Sequence, residues 1–139
     1  MSILKTRRAL RDDFNLDAFD AKEALVHMIE GEDDFEIGGY RFIHQDSIDS
    51  IMEDELSGDE YVLGAANAWF IAEITGIDKE AIEAMQKADC YAAIGKMILS
   101  MDLLSDYQQE MVRHDGYGPH FAHYDGEQHD LANYHVFQI

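Results

Sequence analysis

The chain has 139 residues, 47% of them hydrophobic, with one proline, one cysteine and a net charge of −19 from 29 acidic and ten basic side chains. That length suits a single domain over residues 1–139 that buries roughly two-thirds of the surface its unfolded form exposes. Its longest apolar stretch, Ala65 to Ala72, is interrupted and too short to span a bilayer, no charged-then-apolar leader follows Met1, and Cys90 alone closes no internal disulfide, so a soluble, cytoplasmic protein with no membrane partner is expected.

The first eleven residues hold Lys5, Arg7, Arg8 and Arg11 and no acid. Helical spacing at Ile3, Leu4, Ala9 and Leu10 predicts a short helix or a partly ordered basic arm over residues 1–12. The body is the opposite: between Asp12 and Glu60, 17 acids face only Lys22 and Arg41. Within it, Asp17 or Asp20 is placed to cap a helix with a stripe of Phe19, Leu25, Met28 and Ile29, which Gly31 ends. His27 on that helix reads as a partly buried histidine and not a ligand. Phe35, Ile37, Tyr40 and Phe42 alternate around Gly38-Gly39, predicting strands joined or bent at the glycine pair.

Helical spacing resumes at Ile48, Ile51, Met52 and Leu56. Ser57-Gly58-Asp59-Glu60 has the form of a capping box, and it opens a long apolar segment, "YVLGAANAWFIAEITG". This is the expected central helix, with Gly64, Ala65, Ala66 and Ala68 admitting a close neighbour and Leu63, Trp69 and Phe70 supplying bulk. Gly76 ends it. Asp78 can cap "KEAIEAMQKAD", Asp89 can cap "CYAAIGKMILSM" with Cys90 as a buried inert thiol, and "LLSDYQQEMVRHDG" stops at Gly116. "HFAHY" and "NYHVFQI", on either side of an Asp125-Gly126 turn region, read as two short aromatic strands. The expected fold is α+β, mainly helical, with a small antiparallel sheet from segments near 35–44 and 120–139.

Three groups of residues carry chemistry. The tail places His114, His120, His123, His129 and His135 among carboxylates, and His120, His123, Asp125 and His129 are the candidate metal ligands. Zinc needs three or four donors converging at ~2.0–2.3 Å, and residues three apart on a strand point to opposite faces. Ala72, Gly76, Ile77, Ile82 and Met85, with Ile71 behind, match a helix-turn-helix. Its second helix offers Asp78, Glu80 and Glu83 against Lys79 and Lys87, a poor surface for phosphate.

The acidic surface is the third group. Asp46, Asp49, Glu53 and Glu60 fall at helical spacings, so a row of carboxylates on one face is expected, while the calcium-loop pattern of alternating aspartates before a glycine is absent. Such a field repels phosphate backbones over a Debye length of ~8 Å at physiological salt and attracts basic surfaces.

"YVLGAANAWFIAEITGI" together with "DGYGPHFAHYDGEQHDLANYHVF" resembles small acidic proteins encoded by bacteriophages and other mobile elements, over the chain from Tyr61 onward. The resemblance implies a setting and no catalytic set. Proteins of that kind include inhibitors of host defence, among them anti-restriction and anti-CRISPR proteins, several of which are nucleic-acid mimics.

The leading expectation is a non-enzymatic inhibitor that binds a basic, nucleic-acid-handling host protein and does not touch nucleic acid itself. Asp33, Asp34, Glu36, Asp46, Asp49, Glu53, Asp54, Glu55, Asp59 and Glu60 are its expected contact residues. No cofactor and no resident metal are expected. The alternatives are a DNA-binding regulator that uses residues 68–87 and a small metal-dependent hydrolase built on the histidine tail.

Overall fold

Helices and strands alternate in four blocks in the computed structural model, which describes residues 2–139. In chain order they are α1 (Ile3–Asp12), α2 (Ala18–Glu30), β1 (Asp34–Ile37), β2 (Tyr40–His44), α3 (Ile48–Ser57), α4 (Glu60–Gly64), α5 (Ala68–Thr75), α6 (Lys79–Lys87), α7 (Tyr91–Ser100), α8 (Leu104–Asp115), α9 (Gly118–Phe121), β3 (His129–Leu131) and β4 (Tyr134–Gln138). The α+β class is as expected. The chain divides into two compact units, one formed by the segments ending at Ile48 and beginning at Asp115, the other by Asp49–His114. No helix among the described residues is long and apolar enough to cross a membrane.

The first unit is built on the sheet. Its strand order is β1-β2-β4-β3, antiparallel throughout, so Tyr40–His44 pairs with Tyr134–Gln138 from the far end of the sequence. Gly38 and Gly39 both adopt positive φ, +61° and +82°, the geometry of a two-residue hairpin turn whose twist matches the strands. Side chains alternate along each strand. Phe35, Ile37, Phe42, Leu131, Tyr134 and Val136 meet Leu10 of α1 and Ala21 and Ala24 of α2 in one buried cluster. Phe137 packs instead on Phe121, with 5.1 Å between ring centres.

The basic N-terminal segment is helical: Ser2 caps α1 by accepting from the Lys5 amide. Met1 lies outside the described residues. Asp17 caps α2 through the Asp20 amide, and Gly31 ends it at φ +72°. The predicted stripe is corrected. Phe19 is 75% exposed and Ile29 62%, because the helix turns its small residues, Ala21 and Ala24, toward the sheet, with Leu25 and Met28 half-buried at the margin.

In the second unit the expected long helix is two short ones. Ser57 is the last residue of α3, and its hydroxyl donates back to the Asp54 carbonyl at 2.7 Å. The cap of α4 is Asp59, which accepts from the Val62 amide. After Gly64 the chain breaks, and Asn67 caps α5 by accepting from Trp69. Carbonyl groups freed at the break are answered from a distance: the Gln86 amide donates to both Gly64 and Ala66, at 3.0 and 2.8 Å. No periodicity within residues 61–76 announces that contact. Trp69 is consequently 53% exposed, while Ala68 and Ile71 form the buried side of α5.

Close packing at Gly64 is as predicted. A Cβ there would overlap the Tyr91 carbonyl, and one at Gly95 would overlap the Glu60 carbonyl, so α4 and α7 cross with their backbones nearly touching. Asp78 caps α6, but Asp89 does not cap α7: it sits at φ +59°, and Cys90 occupies the cap position without a side-chain bond to the helix. The Cys90 thiol is half-buried and donates to the Ala88 carbonyl. In the tail, "HFAHY" is not a strand. Gly118–Phe121 is a single helical turn, α9, with Pro119 in its first turn, where a missing amide proton costs nothing.

Candidate protein interface

The ten candidate carboxylates fall into both units. In the first, β1 alternates exposed and buried residues, which turns Asp34 and Glu36 outward while Phe35 and Ile37 enter the core. Arg41 grips Asp34 with two parallel hydrogen bonds, 2.9 Å from Nε and 2.7 Å from the second nitrogen. Its guanidinium also lies over the Phe121 ring, 5.0 Å from the centre. Asp34 is thus neutralised locally. Asp33 accepts from the Ser47 hydroxyl at 2.7 Å, and the Asp46 amide donates to His44 Nδ1 at 3.1 Å. Glu36 remains exposed on the edge strand.

In the second unit, Asp49 sits at the start of α3 and accepts from the buried Gln108 amide at 2.8 Å. One turn on, Glu53 is half-buried, followed by the exposed Asp54 and Glu55. Neither Glu53 nor Asp54 makes an ion pair among the described residues. Asp59 spends its carboxylate on the α4 cap, and Glu60 stands 4.0 Å from the Lys96 ammonium. The predicted row of Asp46, Asp49, Glu53 and Glu60 on one helix face is corrected, since only Asp49 and Glu53 share a helix. Asp46 precedes α3, and Glu60 opens a different helix beyond the Gly58 break.

The helix-turn-helix spacing corresponds to a real pair: α5 ends at Gly76, φ +74°, and α6 starts after the Asp78 cap. Ile71 and Ile82 are its buried residues. On α6 the Lys79 ammonium is engaged by Glu83 at 3.5 Å, leaving Glu80 exposed beside it.

Of the histidine-tail candidates, Asp125 and His129 come together and His120 and His123 do not. Donor atoms of Asp125, Glu127 and His129 lie within 4.8 Å of one another. Glu127, a loop acid that the sequence places beside them, joins the group through the alternation Asp125-x-Glu127-x-His129, which an Asx-turn closes as the Glu127 amide donates to Asp125. His120 lies edge-on to Phe121, and His123 is exposed. Beside them Asp130 and His135, opposite each other across β3 and β4, are hydrogen-bonded at 2.6 Å.

Comparison of the chain with protein-family models, curated proteins and solved structures finds no match in any of the three. The geometry alone must carry the functional reading. Most candidate carboxylates are exposed, Glu53 and Asp54 among those that lack an ion-pair partner among the described residues, and the segment Asp49–His114 holds 14 acids against four bases.

Proposed function

We propose that the protein is a non-enzymatic, acidic interaction protein that binds a basic, nucleic-acid-handling protein and blocks it by occupying the surface that holds phosphate. The observation that carries this reading is the solvent side of α3, where Glu53 and Asp54 stand without an ion pair next to exposed Glu55. A concentration of like charge raises the self-repulsion of the folded state and attracts Lys and Arg on a partner, speeding encounter. It also disfavours direct contact with nucleic acid. A phage-encoded inhibitor of host defence, of the anti-restriction or anti-CRISPR kind, is the biological form of this proposal.

The test is capture from a nuclease-treated lysate of the natural host, eluted with a salt gradient, followed by competition of duplex DNA for each eluted protein. Support requires a basic nucleic-acid-binding protein that elutes at moderate salt, is displaced by DNA, and is lost to the Glu53→Lys/Asp54→Lys variant. DNA binding through α5 and α6 is a second reading, favoured by the glycine turn at Gly76. A mobility shift with random duplex DNA at low salt separates the two, because the acidic reading predicts no complex.

A further inference from the structure

In the first unit, Arg7, Arg8 and Arg11 of α1 line one wall of a groove of about 590 Å³. With Leu4 they recur at three- and four-residue intervals and so share one face of the helix, while Thr6 and Leu10 are buried on another. All three arginines are exposed, and none makes an ion pair or a side-chain hydrogen bond among the described residues. The two remaining arginines are each gripped by a carboxylate at 2.7 Å, Arg41 by Asp34 and Arg113 by Glu110. We infer that Arg7, Arg8 and Arg11 form a binding site for a small ligand that carries linked phosphates.

That arrangement does not serve the fold. Arg7 and Arg11 are like charges four residues apart, a spacing that works against a helix, and the 29 acids of the chain leave them unanswered. The opposite wall is built from the connection to α2, which folds back on α1. The Asp13 amide donates to the Ala9 carbonyl at 2.8 Å and the Leu16 amide to the Leu10 carbonyl at 3.1 Å, and Phe14 and Leu16 are buried in the core cluster. Between them Asn15 is exposed at φ +53°, a left-handed conformation that asparagine tolerates. Asp17 keeps its Oδ1 on the Asp20 amide at 2.8 Å. The groove thus has one free cationic wall and one polar wall whose backbone is fixed.

Arginine presents a rigid fork of donors that matches phosphate oxygens in pairs. One helical turn sets Arg7 and Arg11 about 6 Å apart along the axis, so different guanidinium groups can hold different phosphates of one ligand. The volume of about 590 Å³ lies within the roughly 300–1,000 Å³ of small-molecule sites. Charge decides that the occupant is small. From Asp12 onward six bases face 29 acids, so a nucleic acid, an anionic membrane or a second copy of this chain meets repulsion beyond the groove. A ligand that ends inside it does not. Asp12, Asn15 and Asp17 at the polar end of the groove can accept from hydroxyl or amino groups on the rest of the ligand. The site stands independently of the partner-binding reading.

The full chain is titrated by calorimetry with sodium tripolyphosphate, with magnesium-free ATP and with a short DNA duplex. The expected result is one tripolyphosphate or one ATP per chain, a raised thermal midpoint with either, and weaker binding of the duplex. Equal binding of the two small probes identifies the phosphates as the whole of what is recognised, and tighter binding of ATP adds the nucleoside. Arg7→Gln, Arg8→Gln and Arg11→Gln change exposed side chains and leave the fold intact. Each should weaken binding by at least about tenfold, the loss of a hydrogen bond to a charged group. Lys5→Gln removes the same charge from α1 outside the groove and should leave binding unchanged. No binding, binding that ignores the three arginine substitutions, an equal loss with Lys5→Gln, or tighter binding of the duplex than of tripolyphosphate would overturn the site.

Discussion

Tyr107 of α8, fully buried, donates its phenolic proton to the main-chain carbonyl of Leu63 in α4 at 3.1 Å. Burial pushes that phenol up to about 12 from its ordinary 10.0. The folded value exceeds the unfolded one, so the unfolded chain loses its proton first as pH rises. Stability from Tyr107 is therefore complete below pH ~10 and is lost between ~10 and ~12, by an amount on the order of 2–3 kcal/mol. Tyr107→Phe should cost about 1–2 kcal/mol near neutral pH and unfold with a weaker alkaline dependence than the parent, as denaturant titrations at pH 8 and pH 11 would show.

Gly64 and Gly95 face the carbonyl groups of Tyr91 and Glu60 with no room for a methyl group. Gly64→Ala and Gly95→Ala should each destabilise the protein by about 2–3 kcal/mol, the upper range of overpacking. Gly58 lies in ordinary contact only, and Gly58→Ala should be neutral or slightly stabilising. Midpoints of chemical denaturation for the three variants check the contrast.

The contact at Gly64 was legible because a glycine among alanines inside an apolar run has few other uses. The hairpin at Gly38-Gly39, the caps at Asp17 and Asp78, and the pairing of the two ends of the chain into one sheet were legible for similarly local reasons. The break after Gly64 was not, since it depends on Gln86, 22 residues away. Nor was the fate of Phe19 and Trp69: periodicity marks which residues share a face, and the neighbours decide which face is buried. Of the candidate site, composition disclosed the acidity. It did not disclose that Asp34 is held by Arg41, Asp49 by Gln108, and Asp59 by a helix end.

Gln108 gives its amide hydrogens to Asp49 and to the Met52 sulfur while its carbonyl oxygen has no partner. An apolar side chain of equal length removes that orphan along with the bond. Gln108→Met should change stability by less than about 1 kcal/mol, whereas Gln108→Ala, which leaves a void, should cost more. Thermal or urea unfolding of both variants decides it.

Asp130 is raised by burial, but hydrogen bonds from Gln128 and His135, with the charges of His135 and His129, outweigh this and leave it below its ordinary 3.8. With the folded value the lower one, its contribution is present above pH ~4 and is lost as pH falls further. Asp130→Asn should flatten the acid limb of the stability profile without shifting the alkaline one, as unfolding between pH 2 and pH 7 would reveal.

Charge on α3 is the central claim, and Glu53 and Asp54 test it without touching a cap or a buried bond. The Glu53→Lys/Asp54→Lys variant should keep its unfolding midpoint, with a change within ~0.5 kcal/mol, as is usual for surface positions. The decisive measurement is the affinity of parent and variant for the basic protein eluted from host lysate, taken across a salt series. The account predicts parent binding that weakens steeply as salt rises and a folded variant that no longer binds. Equal affinity of the two, or parent binding indifferent to salt, would contradict it.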